Sequence, residues 1–332
     1  MNATTLADGL KTIAAKVLTK AVALPVLSCV RARPYPGGTE WTVTNMDTWS
    51  SIKIDGPEIG PILIPFNWLR AALIGEEVTI TTKKDKVIVE SGNLKATSLM
   101  LDAAEFPDTP SPNEVEHVIS VDADRLRRLG PLLSKYEGRR QIEHFQCTDG
   151  DIWATNGRLA CRLIGAAGKF YGVLPGVVPW GMSGVIELQI DKTFIVATSG
   201  NHTIVSRRVE FSPTDCSRVC GALFDTGTHW EEGIPRKEFI DAITPLIQMD
   251  GVTLDFAEGT AVGSKPDVGE LETKIPVNSF AEARGNFQPS YLIDCFNAVG
   301  GETVQVHMDP KGALMAIRGD KSDALIMGRR AA

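Results

Sequence analysis

The strongest constraint on this chain is that it repeats itself about every third of its length. Leu10, Ile13 and Val17 are echoed by Leu126, Leu129 and Leu133, and again by Ile240, Ile243 and Ile247. Each trio has the i, i+3, i+7 spacing that puts three apolar side chains on one helical face. The echo continues past the helices. Thr44-Asn45 returns as Thr155-Asn156, and Ser91-Gly92-Asn93 as Ser199-Gly200-Asn201. Glu105-Phe106 ahead of Pro107 returns as Glu210-Phe211 ahead of Pro213. The order is the same each time, so one domain pattern used three times is predicted, over residues 1–112, 113–226 and 227–332. Pro107, Pro110 and Pro112 mark the first boundary, because proline favours extended backbone and cannot continue a sheet ladder.

Within each third, the patterns predict helix, strands, helix, strands. The opening helices fall at about 5–18, 121–136 and 235–248, with Gly130-Pro131 breaking the second and Pro245 placed alike in the third. A second helix follows Pro65 in the first third, and another runs from Pro289 to Val299, where Gly300-Gly301 stops it. The equivalent stretch of the central third, 175–184, holds two prolines and three glycines and predicts a shortened or lost helix. Alternating apolar strands and short turns fill the rest. The fold class expected is α+β with antiparallel sheets.

The 332 residues carry 43% hydrophobic and 23% charged side chains, the composition of a soluble globular chain. There is no apolar run of 18 residues and no basic-then-apolar leader at the N-terminus, so a cytoplasmic protein without a membrane span is expected. Six scattered cysteines then predict reduced core thiols. The net charge is −7, yet charge is segregated. On a helical wheel Arg127, Arg128 and Lys135 oppose the Leu126–Leu129–Leu133 stripe. Between 125 and 140, six basic residues (Arg125, Arg127, Arg128, Lys135, Arg139 and Arg140) face one acid, Glu137. Lys11 takes the matching outward face in the first third, with Lys16, Lys20 and Arg70 nearby, whereas Glu238 and Asp241 occupy it in the last third. A local basic face suits a phosphate backbone, since attraction needs no basic total.

Catalytic chemistry has no evident foothold. Gly165-Ala-Ala-Gly168-Lys169-Phe170 is too short for a phosphate loop and lacks its Ser or Thr. The five histidines have no metal spacing, Cys216 and Cys220 lack paired ligands, and Asp47, Asp102 and Glu105 lack a nucleophile or base. No enzyme activity, metal or cofactor is expected.

Several words of the sequence resemble a known family. Leu24-Pro25-Val26-Leu27 is similar to the Leu-Pro-Ile-Leu signature of the bacterial DNA polymerase III beta subunit, the sliding clamp. Ser91-Gly92 with Asp102-Ala103-Ala104-Glu105-Phe106-Pro107 resembles its Ser-Gly…Ala-Ala-Asp-Phe-Pro segment. Ala154 to Ala160 resembles its Ala-Thr-Asp-Gly-His-Arg-Leu-Ala, one residue shorter. Asn286-Phe287 through Ser290-Tyr291-Leu292-Ile293-Asp294, and Ala324 to Arg330, match its last-domain words.

The resemblance implies a DNA clamp fold, with a head-to-tail homodimer forming a six-domain ring around double-stranded DNA. It implies a non-catalytic processivity factor for a replicative DNA polymerase, which with the clamp loader docks short peptide motifs between the second and third domains. An alternative is a clamp-derived interaction protein that binds replication partners without encircling DNA. Carried over by position, the DNA-facing residues are Lys11, Lys20, Arg70, Arg125, Arg127, Arg128, Lys135, Arg139 and Arg140. The peptide pocket is Ile142, Thr155, Gly157, Arg158, Leu159, Pro213, Arg218, Val219, Leu325 and Met327, and the dimer interface Phe106, Leu246 and Ile247. The sequence departs from the family at the missing His before Arg158, an insertion before Arg218, and Gly328 in place of Pro.

Overall fold

A computed structural model describes residues 1–18, 24–133, 140–218, 220, 230–277, 283–309 and 311–329. In chain order the first third runs α1 (Ala3–Ala14), β1 (Cys29–Tyr35), β2 (Gly38–Thr44), β3 (Thr48–Asp55), β4 (Ile62–Pro65), α2 (Phe66–Ala72), β5 (Val78–Lys83), β6 (Lys86–Ser91) and β7 (Leu94–Leu99). The central third gives β8 (His117–Asp122), α3 (Ala123–Leu129), β9 (Phe145–Thr148), β10 (Asp151–Thr155), β11 (Leu159–Leu163), β12 (Gly172–Leu174), β13 (Val185–Ile190), β14 (Phe194–Ser199) and β15 (His202–Arg207). The last third gives β16 (Glu231–Pro235), α4 (Arg236–Ile243), β17 (Gly251–Asp255), β18 (Thr260–Lys265), β19 (Gly269–Lys274), β20 (Arg284–Phe287), α5 (Pro289–Val299), β21 (Thr303–Met308), β22 (Leu314–Gly319) and β23 (Ser322–Met327). The class is α+β, with antiparallel pairing throughout the named strands.

The chain divides into two compact units, one of Met1–Asp124 with Val177–Arg208 and one of Arg125–Gly176 with Val209–Ala332. Each holds an eight-stranded sheet of the same design. The first runs β4-β1-β2-β3-β15-β14-β13-β8, the second β12-β9-β10-β11-β23-β22-β21-β16. A three-stranded sheet, β5-β6-β7, completes the first unit, and a four-stranded one, β19-β18-β17-β20, the second.

In the first unit, α1 buries Leu6, Leu10 and Ile13, and α2 buries Phe66, Leu69 and Ala72. These pack with Val30, Ala32, Trp41 and Val43 of the large sheet and Val87 and Val89 of the small one. Each Val, Leu, Ile or Phe among them contributes about 1.5–3 kcal/mol through burial. Asn2 caps α1 by accepting from the Thr5 N–H at 2.8 Å, which satisfies a donor the helix cannot. In the second unit, α5 buries Leu292, Cys295, Phe296 and Val299, and Phe296 stacks on Phe239 of α4 at 4.1 Å. Gly300 and Gly301 follow α5 at φ 68° and 86°, conformations that glycine adopts without a Cβ penalty.

The repeats extend to single hydrogen bonds. Thr44 Oγ1 donates to the Thr48 carbonyl at 2.9 Å and accepts from the Met46 N–H at 3.0 Å. Thr155 Oγ1 does the same with Leu159 and Gly157, at 2.7 and 3.0 Å. Gly92 and Gly200 turn their hairpins at the same φ of 57°.

The opening helices differ from the sequence pattern in detail. α3 ends at Leu129, a 3-10 turn takes Gly130–Leu132, and 134–139 lies outside the described residues. In α4 the buried stripe is Phe239, Ile243 and Leu246, while Ile240 is half-buried and Ile247 is 49% exposed. Pro245 tightens the chain into a 3-10 turn over Thr244–Leu246, and this rotates Leu246 inward in place of Ile247. The stretch 175–184 is turns without a helix. Strands β4, β8, β12, β16, β18 and β20 escaped the sequence pattern.

A charged ladder ties the second sheet across four strands. Trp153 pairs with Arg162, Arg162 with Asp323, and Asp323 with Arg318. The Asp323 carboxylate, 0% exposed, accepts from Arg162 Nε at 3.0 Å and Nη2 at 2.7 Å, and from Arg318 Nε at 3.2 Å. Arg162 also reaches Asp151 at 3.3 Å and stacks over Trp153 at 5.5 Å.

Candidate functional site

The second unit carries an apolar cavity of about 200 Å³ at the β10–β11 turn. The turn is built from its own side chains. Asn156 Oδ1 accepts from the N–H groups of Arg158 and Leu159 at 2.9 and 3.1 Å, and Gly157 supplies the required φ of 86°. β23 lies against β11, with Ala160 opposite Leu325, and the Met327 N–H donates to the Arg158 carbonyl at 3.0 Å. The opposite wall hangs on Gln146, which is fully buried. Its Nε2 donates to the carbonyls of Gln141 and His144, which fixes the turn bearing Ile142, and its Oε1 accepts from the Thr214 N–H at 2.9 Å. Asp215 then accepts from the Arg218 N–H and the Ser217 hydroxyl and begins a helical turn at 216–218. Those two donors, the Arg218 N–H first, hold its carboxyl below the ordinary range.

Ile142, Thr155, Gly157, Arg158, Leu159, Leu325 and Met327 therefore come together as one lining. Pro213 is buried outside it, Arg218 is exposed outside it, and Val219 lies outside the described residues. The lining also includes Ala160, Thr214, Cys216 and Cys220, which sequence reasoning did not place there. The spacing of Cys216 and Cys220, one helical turn apart, was the available signal. Burial pushes their thiols up, to about 12 and about 11, so they serve as apolar wall rather than as nucleophiles. Arg158 and Met327 stand exposed at the rim. Such a cavity suits aliphatic side chains, with one guanidinium at the mouth for a polar group.

The basic residues separate by unit. In the first, Lys11 and Arg70 are exposed in the last turns of α1 and α2. In the second, α3 ends in half-buried Arg127 and exposed Arg128, while Arg125 pairs with Asp320 at 2.5 Å. Lys20, Lys135 and Arg139 lie outside the described residues, as does the side chain of Arg140. α4 exposes Lys237, Glu238 and Asp241.

Of the three residues assigned to a dimer interface, Ile247 is on the surface. Leu246 is 1% exposed, and Phe106 is 3% exposed beneath the Arg31 guanidinium, which lies 4.8 Å above its ring. Two sheet edges are more accessible. β7 borders the small sheet of the first unit and β19 that of the second.

Among the described residues no three His, Cys, Asp or Glu side chains gather as a metal site, and no helix is long and apolar enough to cross a membrane. No family model and no curated protein matches the sequence. Solved structures do match it. The DnaN sliding clamp of Bartonella birtlesii, solved bound to griselimycin, is similar at a TM-score of 0.82 and 17% identity, covering 100% of this chain and 98% of that one. The DNA polymerase III beta subunit of Thermotoga maritima gives 0.81 at 17% identity, and that of Streptococcus pyogenes 0.80 at 18%, each covering 100% of this chain and 99% of the other. Sheet order, repeated turns and whole-length superposition lead to one conclusion, that this chain has the fold of the DNA polymerase III beta subunit, the DNA clamp.

Proposed function

We propose that the protein is a sliding clamp, a non-catalytic processivity factor that encircles duplex DNA as a head-to-tail homodimer. The observation that carries this is the superposition of the whole chain on clamps over nearly their whole length. Lys11, Lys20, Arg70, Arg125, Arg127, Arg128, Lys135, Arg139 and Arg140 would attract the phosphate backbone without reading bases, as sliding requires.

Ring closure draws support from the sheet edges. An unpaired edge is a template for another strand. β7 carries Lys95, which pairs with Glu90 of β6 at 2.6 Å, and Leu99, 63% exposed at its end. β19 carries exposed Glu270 and Glu272 around Leu271. A two-fold axis would make the β7–β19 pairing twice. Ile247 would add apolar contact at the surface, with Phe106 and Leu246 supporting from beneath.

The cavity at the β10–β11 turn would dock short Gln- and Leu-containing segments of a replicative polymerase or clamp loader. Its size and apolar wall support one or two aliphatic side chains. The rival reading, an interaction protein that docks partners without a ring, draws on the exposed Glu238 and Asp241 of α4. Loading onto primed circular DNA separates the two. A clamp stays on circles and runs off after linearisation, whereas equal retention on both forms defeats the ring.

A further inference from the structure

The large sheet of the first unit carries a buried charge with few partners. Side chains alternate between faces along β1. Val30 and Ala32 pack with α1 and α2, while Arg31 and Arg33 share the opposite face with Cys29. Residues 100–108 fold over that face. Asp102 accepts from the Ala104 N–H at 2.9 Å and starts a 3-10 turn, and Phe106 comes to lie beneath Arg31, whose guanidinium is 4.8 Å from its ring. A cavity of about 430 Å³ lies between the two, within the range of roughly 300–1,000 Å³ usual for small-ligand sites.

A guanidinium has five N–H donors. The Arg31 side chain is 4% exposed, and among the described residues it donates one hydrogen bond, from Nη1 to Asp108 Oδ1 at 3.0 Å. Its Nε is buried without a partner. Arg33 Nη2 meets the same Asp108 oxygen at 3.3 Å, and that carboxylate is 87% exposed. Burial first, and then the adjacent Arg33 charge, hold the Arg31 guanidinium below its ordinary pKa. A further anion would offset both costs. Among the described residues none is placed to do so. Asp102 lines the cavity but is engaged at its turn, and Glu40 attracts Arg31 without forming an ion pair. A guanidinium fork matches a planar carboxylate. Met100, Leu101 and Phe106 make much of the remaining wall apolar, which a bare inorganic anion would leave unused.

We propose that this cavity binds a small carboxylic acid, its carboxylate on Arg31 and Arg33 and its aliphatic stem against Met100, Leu101 and Phe106. The site is built within the first unit and stands whether or not the ring forms. Asp108 competes for the same two guanidiniums and repels the incoming acid, so it sets the affinity.

The probe is butyrate, titrated into the full chain by calorimetry at constant ionic strength, with acetate, phosphate and the neutral butyramide alongside. Butyrate should bind saturably, about tenfold tighter than acetate because it buries two more methylenes, and butyramide should not bind. Arg33→Gln, at a half-exposed position, should weaken butyrate about tenfold, and Asp108→Asn should tighten it, with circular dichroism confirming that each variant folds. Absence of saturable butyrate binding overturns the site. So does acetate or phosphate binding as tightly as butyrate, which marks attraction to surface charge alone, or butyrate binding that neither substitution moves.

Discussion

Removing the Asp323 carboxylate should destabilise the second unit far more than removing any surface ion pair. Asp323 sits on β23 between β11 and β22, has no exposed side-chain surface, and receives three charged hydrogen bonds from Arg162 and Arg318. Asp323→Ala removes two of the charged hydrogen bonds of Arg162, 16% exposed, whose 3.3 Å contact to Asp151 stays. Breaking a buried pair by deleting one partner costs about 3–5 kcal/mol, mostly the penalty of the orphaned charge. For a unit of this size that is a fall in Tm of roughly 6–20 °C. Lys95→Ala is the control, since its 2.6 Å pair with Glu90 is exposed on both sides and contributes about 0–1 kcal/mol. Calorimetry and urea unfolding at pH 7 give both numbers. Replacing Arg162 and Asp323 together by Leu should restore only part of the loss, because the Arg162–Asp323 pair is then gone as a whole while Asp151 loses its guanidinium and keeps the Gly165 N–H at 2.8 Å. If Asp323→Ala costs no more than Lys95→Ala, the ladder does not hold the seam and the reasoning fails.

Met327→Glu, at a half-exposed rim position, should abolish binding of a Leu-containing partner peptide in fluorescence anisotropy while leaving Tm unchanged. It is a cleaner probe than truncation at Leu325, which would remove half of a strand paired on both sides. Replacing Arg127, Arg128 and Lys135 by Ala should flatten the salt dependence of DNA binding, by roughly 0.9 in log–log slope for each phosphate no longer neutralised. Stability should fall in acid through His202 and His144. Burial disfavours each imidazolium and holds both folded pKa values below the ordinary 6.5, so the unfolded chain binds more protons. Their contribution is present above pH 6.5 and is lost as pH falls through the depressed folded values. His202→Gln, which removes the imidazole bridging Ser50 and the Gly181 carbonyl, should give a shallower decline of Tm with acidification.

Much of the architecture could be read from short-range chemistry. Leu10, Ile13, Leu126 and Leu129 are buried as their spacing requires, and α5 begins at Pro289 and stops before paired glycines. The Thr155-Asn156 turn could be read because its side chains make its hydrogen bonds locally. The third opening helix could not be phased, since Phe239–Ile243–Leu246 and Ile240–Ile243–Ile247 fit the same period one residue apart. Pro245 decided between them through a 3-10 turn. β18 offers only Ala261 and Gly263 to its buried face, too little apolar contrast to mark a strand. The far wall of the pocket escaped because Thr214 is held by Gln146, and nothing in the local sequence at either residue announces the other.

The pairing of β11 with β23 has a consequence for synthesis. β11 ends at Leu163 and its neighbour begins at Ser322. At about 5–20 residues per second, a growing chain spends on the order of ten to thirty seconds with that flank of β11 bare. Ribosome-bound intermediates halted within this interval should bind holdase chaperones and form aggregates, and release of the finished chain should end both.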